Sequence, residues 1–203
     1  FAQDELSRNV SIRVVANGSQ EHQIYKDLLD CPELRDPDTF PCVIPPLQII
    51  STYHSFSFVV LPRWSNVVFA YWFSNVGELL LFIHSMLRGL LFLHSRRIVH
   101  RDISPSNILV NFFDYNSFVN HEGAARHRAG LLSMPARYCL FDFNLAVIFP
   151  SDMPLEACRL PSTLAGHGAP WLHPPDVLQG ELDYDPFAFD VACMGNLFLE
   201  KFK

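Results

Sequence analysis

The segment HRDISPSNILV, residues 100–110, constrains this chain more than any other stretch. Pro105 blocks an ordinary helix through the polar residues, and the apolar Ile108-Leu109-Val110 that follows predicts a short strand. Asp102 and Asn107 are therefore confined to one tight loop, braced by apolar chain on both sides. Such a loop either holds a metal-bound phosphate or is a turn whose aspartate caps its own backbone.

The surrounding composition limits the choice. Of 203 residues, 49% are hydrophobic and 18% charged, enough apolar chain for a real core in one domain or two small lobes. The net charge of -6, with no basic run, argues against a nucleic-acid strand as partner. The five cysteines (31, 42, 139, 158 and 193) form no CxxC pair and leave an odd count, so free thiols are expected, in a reducing compartment, cytoplasmic or else nuclear. The first ten residues lack the apolar core of a signal peptide. The greasiest run, Leu79–Leu93, is interrupted by His84, Ser85, Arg88 and Gly89 and reads as too short and too polar to cross a bilayer, so no membrane partner is expected. A chain beginning at Phe1 reads as a fragment, and the oligomeric state is left open.

Residues 10–15, VSIRVV, are β-branched and predict a strand. Residues 21–29 place Ile24 and Leu28 on one face of a short helix, and five prolines between 32 and 46 impose a loop. A strand-like run over 47–61 follows, then PRWSN at 62–66 as a joint between lobes. Leu80, Ile83, Leu87, Leu90, Leu91 and His94 predict a long, mostly buried helix over 78–95. A polar insert spans 113–136, RYCLFDF resumes as a strand, and 148–180, with six prolines, reads as a long functional loop. A strongly apolar helix closes the chain, and Asp190 offers an N-cap for it.

Taken in order, these residues resemble the eukaryotic protein kinases, on the side of a fungal-type branch. His100-Arg101-Asp102 with Asn107 matches the family's H-R-D-x-x-x-x-N catalytic loop, and Asp142-Phe143-Asn144 stands where D-F-G would be. Pro174-Pro175-Asp176 resembles A-P-E, "DVACMG" with Asp190 and Gly195 resembles the helix behind it, and "VSIR" with Arg13 resembles the V-A-I-K strand, with Glu21 as its helix partner. Any one match is weak, but six in the right order cover residues 10 to 196.

The resemblance implies an α+β, two-lobed protein kinase-like fold: a partial β-rich N-lobe (1–61), a hinge (62–66) and a partial helical C-lobe (67–203), truncated at both ends. It implies transfer of the ATP γ-phosphoryl group to a protein hydroxyl, Ser/Thr rather than Tyr. Asp102 would orient or accept the hydroxyl proton, Asn107 and Asp142 would ligate Mg²⁺, and Arg13 with Glu21 would meet the phosphates. Leu61 and Arg63 of the hinge and Leu109 of the floor would hold adenine.

Departures from the pattern favour a second reading, a pseudokinase or inactive fragment that serves as a binding or scaffold module. No glycine-rich loop is present, Arg13 stands in place of lysine, Ser104 replaces another common lysine, and Asn144 replaces glycine. A small-molecule phosphotransferase of the aminoglycoside or choline kinase type shares the D-x-x-x-x-N loop, but Arg101 and the PPD-to-helix sequence argue against it.

Overall fold

The computed structural model describes residues 2–66, 73, 75–111, 136–165 and 168–202, apart from the side chains of 176 and 178. Strands β1 (Ala2–Gln3) and β2 (Asn9–Ala16), helix α1 (Gln20–Leu29), and strands β3 (Gln48–Ser51) and β4 (Phe56–Pro62) build the first part. The sheet is antiparallel in the order β1-β2-β4-β3. The run over 47–61, expected as one strand, is a hairpin: the Thr52 hydroxyl donates to the Phe56 carbonyl and accepts from the His54 N–H, closing a turn that contains no glycine. Ser57, Val59 and Leu61 alternate into the core from β4, as the two-residue period of a half-buried strand requires. Ser19 caps α1 by accepting the His22 N–H, and Ile24, Tyr25 and Leu28 form its buried face.

The second part begins with β5 (Ser65–Asn66) and helix α2 (Val76–Ser95), followed by β6 (Ile98–Val99), β7 (Ile108–Val110), β8 (Tyr138–Leu140) and β9 (Val147–Ile148). The short pair β10 (Leu160–Pro161) and β11 (Asp183–Tyr184) precedes the last helix, α3 (Pro186–Lys201). Strands β5, β7 and β8 form one small sheet, β6 and β9 another. Between β9 and β11 the chain is mostly short 3₁₀ turns, in keeping with its prolines. The polar insert of 113–136 lies almost wholly outside the described residues.

Helix α2 departs from its sequence reading in register. Asn75 and Glu78 cap it reciprocally, side chain to backbone and side chain to side chain. The buried face is Phe82, Met86, Gly89, Leu90, Phe92 and Leu93, whereas Leu80, Leu87 and Leu91 are exposed. A helix apolar on nearly every side gives periodicity nothing to choose with, and packing decides. Gly89 shows how close that packing is: a Cβ there would lie 2.6 Å from the Cys42 carbonyl oxygen. By length and composition α2 would suffice to span a membrane, contrary to the expectation for Leu79–Leu93; here its Phe82–Leu93 face is part of the core.

Asp185, not Asp190, is the N-cap of α3, accepting from the Phe187 and Ala188 N–H groups, with Pro186 at the first helical position. One continuous core links both parts, from Val15 and Ile24 through Val43, Phe82 and Leu140 to Leu197. Residues 42–44 stitch it, the Ile44 N–H donating to the Leu140 carbonyl and the Leu140 N–H to that of Cys42.

The face assignment of α2 is testable on adjacent residues. Leu90→Ala should cost about 2–5 kcal/mol, while Leu91→Ala should stay within about 0.5 kcal/mol of wild type in urea unfolding. Equal costs would mean the helix is rotated from the register described.

Candidate active site

The loop at 100–107 is held from beneath by one carboxylate. Asp190, fully buried in α3, accepts from the backbone N–H groups of His100 and Arg101, both at 2.7 Å, and contacts His94 Nε2 at 3.1 Å. A buried carboxylate is tolerable only when so satisfied. His100 closes the layer above: its Nδ1 accepts from the Asp102 N–H and its Nε2 lies 2.9 Å from the Phe141 carbonyl, which fixes the ring proton on Nε2.

Arg101 takes a left-handed φ of 66° and sends its guanidinium to Tyr184 Oη (3.1 Å) and to the carbonyls of Leu145 (2.9 Å) and Leu164 (2.5 Å). It thereby ties the loop to the irregular segment that follows β9. Burial raises the Tyr184 phenol pKa, against the lowering effect of its bond to Arg101.

Asp102 and Asn107 are direct partners. Asn107 Nδ2 donates to the Asp102 carbonyl (2.9 Å) and to its Oδ2 (2.7 Å). This bond leaves Asn107 Oδ1 and Asp102 Oδ1 as the outward acceptors. The Phe141 N–H donates to the Asn107 carbonyl, which sets the 141–144 turn beside the loop. Asp142 there is also left-handed, at φ 69°.

From the other side comes Arg13 of β2. Its Nε lies 2.5 Å from Glu21 of α1 and its Nη2 2.6 Å from Asp142, so strand, helix and turn share one cation. Burial works against the Arg13 charge, but the acidic groups of Tyr25, Asp142 and Glu21 outweigh it and hold the guanidinium pKa above its ordinary value. Burial raises the Glu21 pKa despite the arginine beside it. A ring stack reinforces the contact: Tyr25 meets Phe143 edge-on at 5.4 Å, and Phe143 meets His100 at 5.6 Å.

Beside these groups a cavity of about 250 Å³ is lined by Leu61, Arg63, Trp64, Leu109, Ile44 and Phe141. The three residues singled out for a base, Leu61, Arg63 and Leu109, share that wall, while Arg13, Glu21 and Asp142 are joined by ion pairs outside its lining. Sequence reasoning missed Tyr25 and Gly168. Tyr25 is signalled by its place one helical turn beyond Glu21. Gly168, at φ 89°, packs so tightly that a Cβ would come within 2.7 Å of Asp102 Oδ1, and nothing in its local sequence announces that.

Comparison with known proteins follows the same lines. No family model matches the chain. Cyclin-dependent kinase 15 of Danio rerio is 32% identical over 120 residues, covering 59% of this chain and 22% of that protein. A serine/threonine-protein kinase US3 homolog of Cercopithecine herpesvirus 9 is 31% identical over 106 residues, covering 50% of this chain and 24% of that protein. The aligned stretch thus spans under a quarter of each relative, and neither relative is fungal. Among solved structures, the yeast RNA Pol II CTD kinase CTDK-1 complex contains a chain that superposes with a TM-score of 0.61 at 19% identity, over 97% of this chain and 55% of that one.

Two substitutions separate the bonds that matter from those that do not. Asp190→Asn should destabilise the protein by at least about 2 kcal/mol, since an amide cannot accept both N–H groups as a carboxylate does. Tyr25→Phe should be neutral or stabilising, by up to about 1 kcal/mol, because the buried Tyr25 hydroxyl has no hydrogen-bond partner among the described residues. Chemical denaturation reads both.

Proposed function

We propose that this chain, a protein kinase-like domain, binds ATP at the cavity lined by Leu61, Arg63 and Leu109 and delivers the γ-phosphoryl group to a protein hydroxyl, Ser/Thr rather than Tyr. The observation that carries this reading is the meeting of the loop that holds Asp102 and Asn107 with the Asp142 turn, through the Phe141 N–H to Asn107 carbonyl bond, and of that turn with Arg13 and Glu21 through ion pairs. Phosphoryl transfer is chiefly a matter of position and charge, so fixing these groups is the work required. Asp102, held by Asn107, keeps Oδ1 to orient the acceptor hydroxyl and take its proton.

A divalent cation fits the donor set. Asn107 Oδ1 and Asp142 Oδ2 are hard oxygens that take no hydrogen bond among the described residues. They would hold Mg²⁺, which supplies neutralisation of phosphate charge. We take 1–61, 62–66 and 67–203 as small lobe, hinge and large lobe. The five unpaired cysteines support a reducing compartment, cytoplasmic or nuclear.

The second reading, a binding module on the same fold, is favoured by Arg13, whose forked head is not a neutral replacement for lysine. Nucleotide binding without transfer distinguishes it. In a kinase assay on a generic protein substrate, Asp102→Asn should lower turnover at least about tenfold and leave thermal stability and nucleotide affinity in place. Full activity in that variant would remove Asp102 from the chemistry.

A further inference from the structure

Arg13 does more than pair with a helix. Its Nε goes to Glu21 and its Nη2 to Asp142, two carboxylates held through separate nitrogens of one rigid fork. A lysine ammonium is a point charge and has no such division of labour. The same Asp142 oxygen, Oδ1, also receives the Asn144 N–H at 3.3 Å, so it is already occupied by two donors. Nη1 has no partner among the described residues, on a side chain that remains 26% exposed. Resting on the nucleotide reading above, we propose that the Arg13 guanidinium takes the place of a divalent cation at Asp142 for the purpose of binding, so that a nucleoside triphosphate binds this site as tightly without divalent metal as with it.

The charge balance supports the substitution. Glu21 and Asp142 place two negative charges beside the path of an incoming polyphosphate, and Arg13 is the cation that bridges both. A site without it would repel the phosphates until a metal ion screened Asp142. With it, Asp142 is neutralised in advance, and Nη1 is left over as a donor to a phosphate oxygen. A metal ion binding at Asp142 must share the carboxylate with a guanidinium 2.6 Å away, which offsets much of what it would add. The metal-ligand reading of Asn107 and Asp142 concerns the transfer step, whereas this proposal concerns affinity alone.

The test is a titration of the 203-residue chain with a fluorescent ATP analogue, once in excess Mg²⁺ and once in EDTA. Wild type should show the same affinity in both. Arg13→Ala should lose about tenfold or more in EDTA, the equivalent of one charge-assisted hydrogen bond, and recover most of it in Mg²⁺. If Arg13→Ala does not melt cooperatively, Arg13→Lys serves instead: it keeps the charge but loses the fork, and Mg²⁺ enhancement should reappear. Wild-type binding that requires Mg²⁺ overturns the proposal and leaves the nucleotide site standing. Metal-indifferent binding in the folded variants also overturns it, and binding in neither buffer overturns the nucleotide reading itself.

Discussion

A single buried carboxylate carries the geometry of this molecule. Asp190 sits in the second turn of an apolar helix at zero exposure, a position that would be prohibitive for an unpaired charge. Two consecutive peptide N–H groups and an imidazole nitrogen satisfy it. The bargain runs both ways: the carboxylate is tolerated in the core because the loop supplies donors, and the loop keeps its shape because the carboxylate is there. Arg101, strained at φ 66°, persists because its backbone is held by Asp190 and its guanidinium by three acceptors on three other segments. Everything above, from the His100 ring to Asp102, inherits its position from that anchor.

The upper half of the site is set by a different kind of constraint. Glu21, Arg13 and Asp142 are only partly buried, so each bond between them is worth less than the Asp190 bonds and is more exposed to competition from solvent and salt. The apolar stack Tyr25–Phe143–His100 compensates by fixing the approach of α1 to the loop without any charge. The Tyr25 hydroxyl gains no hydrogen bond among the described residues, and burial drives its pKa upward by more than the charge of Arg13 draws it down. The ring, rather than the phenol, is what the stack uses.

What could be read from the sequence was whatever depends on local spacing. The loop from His100 to Asn107, strand β2 with Arg13 and helix α1 with Glu21 lie where their residue types and intervals placed them, whereas RYCLFDF, expected as one strand, is strand only over Tyr138–Leu140 and turns at Asp142, left-handed at φ 69°. The β-hairpin of 48–62 was missed because its turn, Thr52 to Ser55, is closed by a hydroxyl rather than by the glycine or asparagine that usually marks one. The face of α2 was unreadable because leucine occupies most sides of the helix; its rotation is fixed by the packing of Phe82, Met86 and Leu93, the close approach of Gly89 to the Cys42 backbone and the His94–Asp190 contact. Asp190, expected as the cap, lies inside the helix, while Asp185, followed by Pro186 at the first helical position, caps it.

The relation of Asp102 to Asn107 and Gly168 shows why motif spacing alone stops short of a mechanism. The spacing says that two polar residues share a loop; the structure adds that one ties up half of the other. With Oδ2 bound to Asn107, Oδ1 of Asp102 takes no hydrogen bond among the described residues, and that oxygen lies against Gly168. At φ 89° this position suits glycine, and the missing side chain leaves the segment thin enough to pass the carboxylate. A methyl group there would sit 2.7 Å from Oδ1, inside van der Waals contact. This side of Asp102 is therefore bounded by Gly168, from a segment more than sixty residues downstream that no interval within the loop could have pointed to.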